Sequence, residues 1–183
     1  MELRSATGWL NAPASPIQLR PAVGIATAAL AIVALVHFGP TAHAIGAVFI
    51  LSILALVTIV DLEQRRIPNR IVLPATAIVL GVQIALDPAQ APTLLAWSLG
   101  AGLFFYLPLL LFRGGMGMGD VKLAVFLGAA LAEIVVPAIA VAVFASFIAA
   151  LAVLFLNGAA ARKSAMPFAP FLALGATVAI FIG

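Results

Sequence analysis

The sequence predicts an all-α, polytopic membrane bundle of about seven transmembrane helices, and three observations carry that prediction. Apolar residues make up 65% of the 183-residue chain and charged residues 8%, with a mean hydropathy of +1.27. That leaves too few polar groups to coat a water-soluble core of this size. The apolar residues fall in successive runs, most of them long enough to span a bilayer. Every basic residue falls in a segment that those runs place on one side. The whole chain, residues 1–183, is therefore read as one membrane domain with the bilayer as its solvent.

A hydrocarbon core of roughly 30 Å takes about 20 apolar residues of helix. Residues 1–21 form a polar N-terminal tail with Arg4, Trp9 and Arg20, and Trp9 suits the headgroup zone. Residues 22–43 hold an extra first span, Ala22–Phe38. The Ala42-His43-Ala44 that follows has the form of a signal-peptidase site, so cleavage there is the competing reading. Both the apolar run and the polar lead are long for a secretory signal, so the span is read as retained. Residues 44–183 form the core of the domain, with spans Ala44–Val60, Pro68–Leu86, Thr93–Phe112, Asp120–Ala132, Ile134–Leu156 and Pro167–Ile182.

The division between the fifth and sixth spans rests on one charge, Glu133. An unbroken helix from Val121 to Leu156 would run about 54 Å, well beyond one crossing. Orientation tests the division independently. With seven spans and the N-terminus cytoplasmic, the inner segments carry Arg4, Arg20, Arg65, Arg66, Arg70, Arg113, Lys122, Arg162 and Lys163, which is every basic residue present. The outer segments carry Asp87 and Glu133. Merging spans five and six would put Arg162 and Lys163 outside, so the C-terminus is read as outside with the two spans separate.

The same composition excludes several classes of function. Without cysteine there is no disulfide, thiolate zinc site or cysteine nucleophile. The net charge of +3 and pI near 10.2 come from small separated basic clusters, which point to membrane orientation and away from nucleic acid. No metal site or cofactor is expected. His37 and His43 fall at the outer junction, and Ser146 has no histidine at its depth, so a serine hydrolase is excluded on geometry. Tyr106 and Asn157 read as packing or interfacial groups, and Glu63 as solvated.

Two carboxylates remain, both at inner junctions. Span two ends in "VTIVDLEQRRIPNR", which puts Asp61 at the membrane boundary. Span five opens after "GGMGMGDVK", which puts Asp120 at its start. Carboxylates beside hydrocarbon are costly and are usually functional when they face the bundle interior. Two of them at close range cannot both ionise easily, so one proton is shared. The ionised member can then take a proton from water while the protonated member donates to a carbonyl oxygen, which hydrolyses a peptide without metal or covalent nucleophile. The plainer alternatives are a helix-end charge balanced by Arg65 or Arg66 for Asp61, and an N-cap for Asp120.

Gly114, Gly115, Gly117 and Gly119 permit positive φ and close backbone approach, as a loop binding an extended peptide requires. Packing through Gly115-x-x-x-Gly119 is the alternative. No Lys-Ser or Lys-Thr follows the last glycine, so a phosphate loop is excluded. Lys122 is placed either to act on Asp120 and a substrate carbonyl or to anchor the interface.

"DLEQRRIPN" (Asp61–Asn69), "GMGDVK" (Gly117–Lys122) and "MPFAPFLALG" (Met166–Gly175), in that order, resemble the type IV prepilin peptidases, membrane aspartic proteases of the Gly-x-Gly-Asp class. The resemblance runs from Ile50 to Gly175. It implies that Asp61 and Asp120 are the catalytic pair, with Pro68, Asn69, Gly117, Gly119, Lys122, Pro167 and Pro170 shaping the site or binding substrate. Ala169 stands where the family pattern has glycine.

The resemblance further implies a bacterial plasma-membrane endopeptidase that removes the basic leader of prepilin or pseudopilin proteins at the cytosolic face, just after a glycine. Larger members add a methyltransferase domain, often with a cysteine zinc site. This chain resembles the short, peptidase-only form found with Flp/Tad pilus systems, so no methylation and no use of S-adenosylmethionine is expected. The rival readings are a small proton or cation transporter using the same aspartates, which calls for acidic residues near the midplane, and a silent pilus assembly factor.

Overall fold

The computed structural model describes residues 16–111, 117–157 and 167–182. Among these are seven α-helices: α1 (Pro16–Phe38), α2 (Ala42–Gln64), α3 (Asn69–Leu86), α4 (Ala91–Leu111), α5 (Met118–Leu131), α6 (Val135–Asn157) and α7 (Ala169–Ile182). Short 3-10 turns, Pro88–Gln90 and Ala132–Ile134, join α3 to α4 and α5 to α6. Four stretches are long and apolar enough to cross a membrane: Ala42–Gln64, Asn69–Leu86, Pro88–Leu111 and Met118–Leu156, while Gly24–Phe38 and Ala169–Ile182 are shorter apolar helices.

The longest of these stretches is not one rod. At Ala132 the backbone turns to φ 50°, a region that side-chain-bearing residues rarely occupy, and the helix ends. The place of the next helix follows from its neighbours. Gly175 of α7 lies against Ala138 and Ala142 near the start of α6, whereas the first turn of α7 meets Asp61 at the end of α2. The chain therefore travels along α5 away from Asp120, turns at Glu133 and begins α6 at the far end of the bundle.

Some helix ends differ from the expected spans. The helix holding the first span begins at Pro16, six residues before Ala22, with Pro21 inside it. Helices in lipid tolerate such a proline where neighbouring groups meet the freed carbonyl. Ala42, His43 and Ala44 form the first turn of α2, where Ala44 N–H donates to the Thr41 hydroxyl at 3.3 Å. Asp87, expected as a bland outer charge, caps the first 3-10 turn by accepting from Ala89 N–H at 3.1 Å and from the Gln90 amide at 2.7 Å.

Packing sorts the helices into a centre and a shell. In α5 most residues after Asp120 are buried, including Val121, Leu123, Ala124, Phe126, Leu127 and Ala129, as expected for a mostly apolar helix surrounded by others. It lies antiparallel to α4, with Ser98 Oγ donating to Val125 carbonyl at 2.9 Å and Gly128 set against the Trp97–Ser98 backbone. The Gln83 side-chain amide ties α3 to it through Ala129 carbonyl at 2.9 Å. The outer helices expose large apolar side chains, among them Val36, Leu99, Phe104, Phe144 and Phe155. Such a surface suits lipid and not water.

Candidate active site

Asp61 occupies the last turn of α2, where the helix continues one turn past the expected boundary to Gln64. The stop is supplied by Arg65, whose backbone is left-handed at φ 51°, ψ 39°, and whose N–H donates to the Asp61 carbonyl at 2.8 Å. A left-handed turn at a residue other than glycine costs about 1–2 kcal/mol. It bends the chain sharply enough for α3 to restart at Asn69. The Asp61 side chain stays inside, only 6% exposed, on the buried stripe of α2 that also holds Leu54 and Val57.

A carboxylate held that deep needs donors. They come from the start of α7, where Ala169 N–H donates to Asp61 Oδ2 at 3.1 Å and Phe168 N–H lies alongside. The first N–H groups of a helix have no partner within it and carry the positive end of its dipole, so this terminus suits an anion. Pro170 at the second position has no N–H to leave unmet. The Pro167–Pro170 segment, read from sequence as a site-shaping loop, thus delivers a backbone clamp on Asp61. Ala169 is buried, and its backbone does not require glycine.

Asp120 is the third residue of α5 and not its N-cap, correcting one of the alternatives for this residue. Gly117 is the cap, with φ −89°. The two residues bond reciprocally: Asp120 N–H donates to Gly117 carbonyl at 3.1 Å, and Gly117 N–H donates to Asp120 Oδ2 at 3.3 Å. Asp120 is half-buried, and its carboxyl group is influenced first by that burial, next by the Gly117 N–H and least by the charge of Asp61. Two further contacts hold α5 against the link between α2 and α3. Lys122 Nζ donates to Asn69 Oδ1 at 2.9 Å, across 53 positions of sequence. Gly119 sits on the side chain of Ile67, so that a Cβ at position 119 would come within 2.8 Å of the Ile67 Cβ.

Four helix ends therefore converge at one end of the bundle: the C-terminus of α2 and the N-termini of α3, α5 and α7. Asp61, Asp120, Gly117, Gly119, Lys122, Pro68, Asn69, Pro167 and Pro170 all lie there. The structure alters two of the expected roles. Gly119 serves close packing, since Ile67 fills the space that an extended peptide was expected to use. Lys122, among the described residues, bonds to Asn69 and to neither carboxylate. Gly114, Gly115, Arg113, Met166, Arg162 and Lys163 lie outside the described residues. Ile67 and the Phe168 and Ala169 N–H groups were missed by the sequence reading. The signals were present in the Ile of "RRIPN" and in a proline just inside a helix start.

The remaining candidates lie elsewhere. His37 packs edge-on against Phe38 and Phe181, with ring centroids 4.7 and 5.7 Å away, at the opposite end of the bundle. The Ser146 hydroxyl donates to Val143 carbonyl in its own helix at 2.8 Å. No group of three or more His, Cys, Asp or Glu side chains able to hold a metal occurs among the described residues. A large apolar groove between α4 and α6, about 940 Å³ and lined by residues such as Trp97, Phe104, Val136 and Phe147, contains no titratable group and so offers no chemistry.

Comparison with known proteins gives the family of the chain. Residues 48–156, including both aspartates, match the type IV leader peptidase family. The chain belongs to that family. Among curated members of the type IV leader peptidase family, the chain is 30% identical over 175 residues to a "Prepilin leader peptidase/N-methyltransferase" of Burkholderia pseudomallei, covering 92% of this chain and 57% of that protein. It is 32% identical over 169 residues to the protein of that name in Bacillus subtilis, covering 89% and 66%, and 32% identical over 179 residues to one in Legionella pneumophila, covering 92% and 61%. The chain thus spans little more than half the length of the first of these leader peptidases. No solved structure matches it.

Proposed function

We propose that the protein is an intramembrane aspartic endopeptidase that removes the leader of prepilin-like proteins, with Asp61 and Asp120 as its acid–base pair. The observation that carries this reading is the convergence of four helix ends that brings the two carboxylates to the same end of the bundle, each held by a backbone N–H. Each is fixed by a backbone N–H, so neither must reorganise when a peptide arrives. One member, ionised, takes a proton from the attacking water. The other, protonated, donates to the scissile carbonyl oxygen, and the pair returns a proton to the leaving amine.

The same reading assigns the seven helices as seven crossings of the bacterial plasma membrane, with the N-terminus cytoplasmic and the C-terminus outside. The converging ends carry Arg65, Arg66, Arg70 and Lys122, which supports a cytosolic position for the site. A prepilin then presents its basic leader from the cytosol while its own apolar helix stays in the bilayer. The peptidase-only form is proposed on the absence of cysteine and of any long described loop.

Incubating the purified chain in lipid nanodiscs with a prepilin and S-adenosylmethionine tests both points. The expected product is a pilin shortened at a glycine, with a free, unmethylated N-terminus by mass spectrometry. An intact prepilin after extended incubation overturns the peptidase assignment. A methylated product overturns the peptidase-only form.

Gly119 supplies a second test. Alanine there forces α5 away from Ile67, and a misplacement near 1 Å costs up to about 100-fold in rate. Gly119→Ala is therefore expected to cut prepilin far more slowly than wild type, and adding Ile67→Ala is expected to restore much of the loss. Independent, additive effects of the two changes would show that the contact does not position the pair.

A further inference from the structure

Thr58 lies on α2 three residues before Asp61, a spacing that puts both on one side of the helix. Among the described residues, its Oγ1 is the one buried side-chain polar atom with no hydrogen-bond partner. Five other helix hydroxyls are satisfied. Ser52, Thr76 and Thr177 donate to the carbonyl four residues back at 2.7, 2.8 and 2.7 Å, Ser146 to the carbonyl three back at 2.8 Å, and Ser98 to α5 at 2.9 Å. Thr58 leaves the same local option unused. A buried hydroxyl without a partner costs about 1–3 kcal/mol, so this one is an exception placed one turn from a candidate catalytic carboxylate.

An extended peptide creates a matching need. Hydrolysis requires the chain at the scissile bond to leave any helix, which strips its N–H and C=O groups of their partners. Beside hydrocarbon, each unmet group costs several kcal/mol unless the protein satisfies it. One helical turn is about 5.4 Å, and an extended residue covers about 3.3–3.6 Å. The Thr58 Oγ1 atom is covered in the free protein, so a peptide reaches it only by displacing the side chains packed beside α2. A group one turn deeper than Asp61 then faces the first or second residue on the membrane side of the cut. A threonine hydroxyl can donate to a carbonyl or accept from an N–H there.

We propose that Thr58 is a substrate-binding residue whose hydroxyl hydrogen-bonds the main chain of the extended segment just membrane-ward of the scissile bond. This rests on the leader-peptidase reading of the same site. It gives the enzyme a hold on its substrate that does not depend on side-chain identity, and it locates the entry of the peptide along the Asp61 side of α2.

The test uses the full chain in nanodiscs with a prepilin substrate. Thr58→Val keeps the β-branched shape and removes the hydroxyl, while Thr58→Ser keeps the hydroxyl. For Thr58→Val, kcat/KM is expected to fall about tenfold, mostly through KM, because the hydroxyl holds substrate and takes no part in the proton transfers. Its Tm is expected to equal or exceed wild type, because an unmet hydroxyl has been removed. Thr58→Ser is expected to stay within about twofold of wild type. Wild-type kinetics in Thr58→Val overturn the proposal, as does a Tm that falls together with activity. The wild-type control separates this inference from the reading beneath it: a wild-type enzyme that cuts nothing overturns the leader-peptidase assignment itself, whereas a wild type and a Thr58→Val variant that cut equally well overturn only the role of Thr58.

Discussion

Asparagine at either Asp61 or Asp120 is expected to lower leader cleavage by about 10⁴-fold, the upper end of what one positioned acid or base contributes. Asparagine keeps the shape of aspartate and an oxygen that still accepts a backbone N–H. The bonds from Ala169 to position 61 and from Gly117 to position 120 therefore survive, and so does the bundle. What disappears is the shared proton. On the proposal that the two groups act as a unit, the double variant is expected to be no slower than the worse single one. The measurements are single-turnover cleavage of a prepilin and the amount of folded protein in the membrane. Near-wild-type cleavage by either single variant removes that residue from the chemistry, and a multiplicative loss in the double variant argues that the two act independently.

The largest effects on stability are expected at Gly128 and Gly175, where helices touch backbone to backbone. A Cβ at Gly128 would press on the Trp97 carbonyl and come within 2.7 Å of the Ser98 Cα. One at Gly175 would press on the Ala138 carbonyl and come within 3.0 Å of the Ala142 nitrogen. Neither neighbour is a flexible side chain, so relief requires α4 to separate from α5, or α6 from α7. Overpacking of this kind costs about 1–3 kcal/mol or more. Small residues are what allow membrane helices to approach closely, and the van der Waals packing along the seam weakens when the helices are pushed apart. Gly81 is the internal comparison, since nothing lies within 4 Å of its added Cβ. Gly81→Ala is expected to hold or raise the Tm in detergent by removing backbone freedom, while Gly128→Ala and Gly175→Ala lower it by several degrees or more. Equal values for the three would show that the close approaches carry no strain.

Much of this architecture was legible in the sequence because lipid imposes a simple rule, that apolar runs become helices with every backbone group bonded internally. The break near Glu133 could be found from a single charge and the resulting side of Arg162 and Lys163. The start of α1 could not, because Pro21 reads as a boundary although the helix runs through it. At the site, Asp61 and Asp120 stood out as carboxylates beside hydrocarbon. Their supports did not. Whether Lys122 meets Asp120 or Asn69, and whether the gap at Gly119 holds a peptide or Ile67, depends on how helices far apart in sequence dock, and no local pattern records that.

The backbone donor that Asp61 receives comes from a residue 108 positions later in the chain. During synthesis, Asp61 and Asp120 emerge and insert well before α7 exists to bond the first of them. A nascent chain therefore carries both carboxylates in the membrane while one of them still lacks its clamp. The order of translation delays assembly of the complete proposed site until the segment beginning at Pro167 has been made and has docked.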